Sequence, residues 1–156
     1  MSAARPKAYT TTIDAKRTAG ECVALLTDAG ADHVSLSMRE RQPVGIGFTL
    51  DTTAGKRHFE LPVNVKGVHA MLLRAGRAGE FASLRKGPWV TSEQHALDVA
   101  WRVVRDWLDA QLALIAAELV TISEAFTAYR VIESGQYRGM TVAAAIDADE
   151  VKAIEG

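Results

Sequence analysis

With 156 residues, 48% of them apolar and 24% charged, the chain can bury a core without disulfide or metal staples, and its composition argues against a disordered or fibrous protein. A lone cysteine, Cys22, excludes an intramolecular disulfide framework and any multi-cysteine zinc site. The formal net charge of −1 conceals an uneven distribution, because residues 56–105 hold nine Lys/Arg against four Asp/Glu while residues 106–156 hold three against nine.

Such asymmetry fits either a surface that faces a polyanion or two regions of opposite sign that attract each other. The opening MSAARPKAYTTT has no apolar h-region, and no stretch approaches ~18 uninterrupted apolar residues. Neither secretion nor membrane spanning is expected, and a reducing, cytoplasmic setting is.

Taken in chain order, Ala8 to Ile13 reads as a short Thr-rich strand. Thr18-Ala-Gly-Glu21 has capping-box spacing, so a helix is predicted to start there, with Cys22, Leu25, Leu26 and Ala29 on one stripe. Gly30 is placed to end it in a left-handed C′ position. Three strands follow from period-two alternation: Val34, Leu36 and Met38; then Val44, Ile46, Phe48 and Leu50; then Phe59 and Leu61. The short connections Arg39–Pro43 and Thr52–Gly55 predict antiparallel hairpins. On the second strand the face opposite the apolar one is Gly45, Gly47 and Thr49, which leaves the backbone open to close approach by a neighbouring element or a ligand.

Asn64 is the predicted cap of a second helix carrying Val65, Val68, Met71 and Leu72. It leads into a glycine-containing basic loop, followed by a third capping signal at Thr91-Ser-Glu-Gln94. From Ser92 to about Leu119 there is neither Gly nor Pro, which predicts a helix about 40 Å long at ~1.5 Å per residue, a central spine or a dimer face. Thr121-Ile-Ser-Glu124 starts a short element with Phe126, Tyr129 and Val131, and a last helix is predicted from Thr141. The expected architecture is α+β: a small antiparallel sheet of three to four strands packed with helices, one of them long and in the C-terminal half. One domain over residues 1–156 is expected, with residues 8–62 mainly sheet plus one helix, 63–75 helix, 76–90 basic loop and 91–156 helical.

Catalytic chemistry finds no foothold in the sequence. His33, His58, His69 and His95 form no metal-ligand pair, and there is no nucleophile elbow and no phosphate-cradling loop with its lysine. Cys22 falls on an apolar stripe and reads as a core residue. No catalytic residue, metal or cofactor is assigned. The exception to this plainness is the stretch from Arg74 through Trp89, where Arg74, Arg77, Arg85 and Lys86 interleave with Phe81 and Trp89. Cations that track phosphates and an aromatic that stacks on a base are the two components of single-strand nucleic-acid binding. Arg102 and Arg105, about 60° apart on the long helix, extend the candidate surface onto a rigid element, with Asp98 one turn earlier as a competing partner for Arg102.

The helix, three antiparallel strands and helix over residues 18–75 resemble the topology of the double-stranded-RNA-binding domain, but Leu61-Pro-Val-Asn-Val-Lys-Gly-Val68 lacks that family's lysine cluster. A broader resemblance rests on Tyr9-Thr-Thr-Thr-Ile13, Phe59-Glu-Leu-Pro-Val-Asn64 and Val99-Ala-Trp-Arg-Val-Val-Arg-Asp-Trp-Leu-Asp-Ala-Gln-Leu-Ala-Leu114. In these the chain resembles a group of small, uncharacterised proteins encoded by phages and prophages. That resemblance implies a mobile-element origin and a bacterial host cytoplasm, and it transfers no catalytic residue.

The leading expectation is a non-enzymatic accessory protein that binds DNA or RNA. The alternative is an adaptor or inhibitor acting on a host or phage protein and self-associating as a homo-oligomer through the long helix. A third reading is an enzyme whose site assembles from distant polar residues. No membrane partner is expected.

Overall fold

The apolar alternation of the first half becomes a three-stranded antiparallel sheet in the order β1 (His33–Arg39), β2 (Gln42–Thr52), β3 (Gly55–Pro62). The protein is seen here as a computed structural model, which describes residues 9–81 and 90–155, with side chains through residue 150. Among the described residues five α-helices complete the α+β fold: α1 (Ala15–Asp28), α2 (Val65–Arg77), α3 (Glu93–Ala116), α4 (Ile122–Phe126) and α5 (Val142–Glu155). A 3₁₀ turn, Thr127–Tyr129, follows α4.

α1 starts three residues before the Thr18 capping box. Asp14 is the N-cap, its carboxylate accepting from the Lys16 N–H at 2.8 Å, and Asp98 on α3 accepts from the Ala15 N–H at 2.9 Å. Two carboxylates therefore serve the amide groups that the first turn leaves without helical partners. Thr18 is fully buried inside the helix, where its hydroxyl donates to the Asp14 carbonyl. At the other end Gly30 adopts φ +95°; its N–H donates to the Thr27 carbonyl and that of Ala31 to Leu26, a Schellman closure that needs the left-handed conformation glycine adopts without strain. The predicted strand over 8–13 falls partly outside the described residues, and from Tyr9 onward no strand forms. Tyr9 instead stacks on Phe81, with ring centroids 5.3 Å apart, and its carbonyl is hydrogen-bonded by His95. Those contacts bind the segment to the helices and away from the sheet.

Ile46, Phe48 and Leu50 pair across the sheet with Leu61, Phe59 and Arg57, so apolar side chains of β2 and β3 gather on the face that α1 covers. On the opposite face, side chains of the neighbouring strands reach over the glycines. A Cβ on Gly47 would lie 3.1 Å from the Ser35 hydroxyl oxygen and 3.2 Å from His58 Cε1.

The β1–β2 hairpin turns through Glu40 and Arg41, both with positive φ (50° and 66°). This is the backbone of a two-residue primed turn, in which Asn and Gly are at ease and Glu and Arg are not. Replacing Glu40 by Asn and Arg41 by Gly together should stabilise the fold by about 1 kcal/mol, after allowing for the greater unfolded-state freedom of glycine. Urea denaturation followed by circular dichroism reads this directly; an unchanged or lower midpoint contradicts it.

α3 is the spine. It packs on α1 and on α2, and its first half is buried on several sides, through His95, Ala96, Leu97, Val99, Ala100 and Trp101. Its cap is Ser92, whose hydroxyl accepts from the His95 N–H at 3.1 Å, one residue beyond the box expected at Thr91. Two clusters of buried side chains flank it. The larger joins α1, the sheet, α3 and Phe126; the smaller joins Leu72 and Ala75 of α2 to Ala96, Val99, Phe81 and Val90.

Cys22 lies fully buried in the larger cluster. Burial pushes its thiol from the ordinary 9.0 up to about 12, against the pull of the nearby Arg105. Between those values the unfolded chain is ionised at Cys22 and the folded chain is not, so the fold loses stability as pH rises through that interval; below it this group adds no pH dependence. At pH 8 the thiol should react with a thiol reagent only as fast as the protein opens, and labelling that matches free cysteine would contradict its burial.

Beyond α3, Thr121 caps α4 as its box predicts, accepting from the Glu124 N–H at 3.1 Å. Val131, expected in a helical element, is instead extended. Its N–H donates to the His58 carbonyl at 2.9 Å, Arg130 bridges Phe59, and Val131 bridges Thr141. This return of the chain covers the outer edge of β3. Asn64 caps α2 as the sequence predicts, and Thr141, where the last helix is predicted to begin, turns out to be the cap of α5.

Candidate nucleic-acid interface

The sequence singles out eight basic or aromatic residues, and the fold treats them differently. Arg74 and Arg77 lie in the last turn of α2, three residues apart and thus neighbours on the helix surface. Both are exposed, and neither forms an ion pair among the described residues. Their position suits the negative end of the helix dipole, which stabilises cations there.

The chain then closes α2 with Gly79 at φ +77° and returns to the interior at Phe81, which is only 5% exposed. Phe81 is therefore a core residue, stacked on Tyr9, and is not free to stack on a base. Val90, after the segment 82–89, is also buried in the same cluster. Arg85, Lys86 and Trp89 lie outside the described residues. Both chain ends that lead into their segment are fixed on the α2–α3 cluster.

On α3 the picture is electrostatic compensation. The Arg102 guanidinium donates to the Glu21 carboxylate of α1 and is only 17% exposed. Arg105 Nη1 lies 3.3 Å from Asp106 and 3.6 Å from Asp109, and the Arg105 side chain is 29% exposed. The expected competition from Asp98 for Arg102 does not arise, because Asp98 is occupied in capping α1 and is also hydrogen-bonded by Gln94. Burial raises the Asp98 carboxyl above its ordinary value, opposed by the hydrogen bond from Ala15. Arg102 joins α1 to α3, and loss of its charge should therefore read out as stability. Arg102→Ala is expected to cost about 1–2 kcal/mol in thermal or urea denaturation, since Glu21 is left partly buried without its partner. A loss of a few tenths at most would show the pair to be solvated.

The histidines are scattered. His58 meets the Thr49 hydroxyl at 3.2 Å and Glu60 at 3.6 Å, His69 meets the Thr91 carbonyl at 2.8 Å, His95 meets Tyr9, and His33 is exposed on β1. Among the described residues no three His, Cys, Asp or Glu side chains gather as a metal site, and no helix is long and apolar enough to cross a membrane. A small cleft between the C-terminal ends of α1 and α3 is lined by Ala29, Leu50, Leu112, Ile115, Ala116 and Ile122. Its walls carry no acid, base or nucleophile.

The Asp98 cap and the Arg102–Glu21 pair escaped sequence reasoning because each joins residues more than 80 positions apart. The strand-like return at Arg130–Val131 had one signal, the β-branched pair Val131-Ile132 before Gly135. No family model matches the chain, and no curated protein or solved structure matches it either.

Proposed function

We propose that this chain is a non-enzymatic accessory protein of phage or prophage origin that binds nucleic acid through the C-terminal end of α2 and the basic segment after it. The observation that carries the reading is the contrast among its arginines. Arg74 and Arg77 are exposed and have no carboxylate partner among the described residues, whereas Arg102 and Arg105 are compensated by Glu21, Asp106 and Asp109. Uncompensated surface cations displace counterions from a phosphate backbone, and that release is the main source of sequence-independent affinity. Arg85 and Lys86 add charge to the same stretch of sequence, and Trp89 adds a stacking group. The contact surface is thus drawn around α2 and its following segment, with Arg102 and Arg105 contributing to its support more than to its charge.

A second reading, an adaptor or inhibitor that meets a host or phage protein, draws on a different observation: the exposed apolar side chains Leu36, Met38 and Val103. Fluorescence-anisotropy titration with labelled single- and double-stranded DNA and RNA separates the two. Saturable binding that competitor nucleic acid reverses supports the first reading and identifies the preferred polymer. No binding to any of the four at low salt overturns it in favour of the second.

A further inference from the structure

The two edges of the sheet are treated unequally. The outer edge of β3 is covered by Arg130 and Val131, with the Val131 N–H on the His58 carbonyl. No backbone hydrogen bond is made to the outer edge of β1 among the described residues. Which groups point outward follows from the hydrogen-bond parity of an antiparallel sheet. The Val63 N–H donates to the Val44 carbonyl, so Val44, Ile46 and Phe48 direct their backbone groups at β3, while Gly45, Gly47 and Thr49 direct theirs at β1. Their partners Ser37, Ser35 and His33 are turned inward. Val34, Leu36 and Met38 consequently present N–H and C=O groups to the open edge.

An open edge is a template for another strand, and proteins usually blunt it with charge, proline or a covering element. Between Val34 and Met38 there is no charged residue and no proline. Leu36 and Met38 are 36% and 54% exposed, although they alternate onto the face that carries the core. Apolar side chains left half-covered at a sheet edge are what an added strand would cover.

We infer that β1 pairs antiparallel with β1 of a second copy about a two-fold axis at Leu36, joining two sheets into one of six strands. The sequence is self-complementary in that register. Leu36 falls opposite Leu36, Val34 opposite Met38, and Ser35 opposite Ser37, so apolar meets apolar on one face and hydroxyl meets hydroxyl on the other. Leu36 is a residue whose backbone groups face outward, so the axis passes through a hydrogen-bonded pair, as a symmetric ladder permits. His33 falls opposite Arg39, two groups with no mutual attraction, which confines the favourable pairing to residues 34–38. A contact this short is small against a standard interface, and the association is weak. It is independent of any binding of nucleic acid, which concerns α2 and its following segment.

Single cysteines placed along β1 test the register. In an antiparallel hydrogen-bonded pair facing Cα atoms are ~5.5 Å apart, within disulfide reach, whereas Val34 and its own copy are separated by ~14 Å, four residues of strand rise. Under mild oxidation at high protein concentration, Leu36→Cys should give a cross-linked dimer on a non-reducing gel. Val34→Cys, Met38→Cys and the wild type, whose Cys22 is buried, should stay largely monomeric, and a mixture of Val34→Cys with Met38→Cys should cross-link. If Leu36→Cys yields no more dimer than the wild type, or Val34→Cys alone cross-links as fast, the inference fails. Leu36→Lys, which sets like charges opposite each other, should also shift the sedimenting mass toward the monomer with its circular dichroism unchanged. Retention of any wild-type dimer by that variant would equally count against it.

Discussion

Trp101→Ala should lower the stability of the protein by about 3–5 kcal/mol, among the largest effects of any single substitution. Trp101 is fully buried at the centre of α3. Its indole N–H donates to the Pro43 carbonyl at 2.8 Å, 58 positions away, so one side chain fills the core between helix and sheet and also satisfies a carbonyl that proline leaves at the irregular end of β2. The register between β1 and β2 shifts between Ser37 and Met38, just where Met38 pairs with Pro43. Truncation to alanine combines lost burial, a cavity and an unsatisfied acceptor. Trp101→Phe keeps most of the buried ring while removing the N–H, and about 1–3 kcal/mol is expected for the carbonyl left without its donor together with the smaller void. Urea denaturation monitored by circular dichroism measures both. A loss under about 1 kcal/mol for the alanine variant would mean that α3 does not pack on the hairpin in this way.

Phe126→Ala should cost a similar amount, about 3–5 kcal/mol, and with a distinct spatial signature. α4 is only five residues long and could not be stable on its own. Phe126 attaches it to the rest of the protein: its ring centroid lies 5.4 Å from Phe48, 5.9 Å from Phe59 and 5.8 Å from Trp107. The Phe59–Arg130 bridge and α5 follow along the chain. Without the Phe126 ring, amide hydrogen exchange should accelerate first from Ile122 through Ala145, ahead of α1 and the sheet. Uniform acceleration across the whole chain would show instead that the aromatic cluster and the main core open as a single unit.

What the sequence revealed and what it concealed divide along contact distance. Period-two alternation located three strands because β2 is buried on one face by α1 and its neighbours, so each inward position had to be apolar. Local capping chemistry located α2 and α4, since Asn64 and Thr121 act on amide groups three residues further on. The start of α1 escaped because Asp14 and Thr18 are both competent caps and the choice is made by Asp98 on a different helix. For the same reason Arg102 read as a surface cation, its partner Glu21 being on α1. Phe81 looked available beside the arginines because nothing nearby in sequence shows that Tyr9 covers it. The exposure of Arg74 and Arg77 was legible from the polar, glycine-containing stretch they open, although Arg77, expected in a loop, closes the last turn of α2.

Nucleic-acid affinity carried by the end of α2 is most directly tested by the salt dependence of binding in three proteins: the wild type, Arg74→Ala with Arg77→Ala, and Arg102→Ala. The double variant should bind more weakly, and its plot of log affinity against log salt should be shallower by about 1.5, two phosphate contacts' worth. Arg102→Ala should be less stable yet keep the wild-type slope. Wild-type affinity and slope in the double variant, or a lower slope in Arg102→Ala alone, would contradict binding through the end of α2.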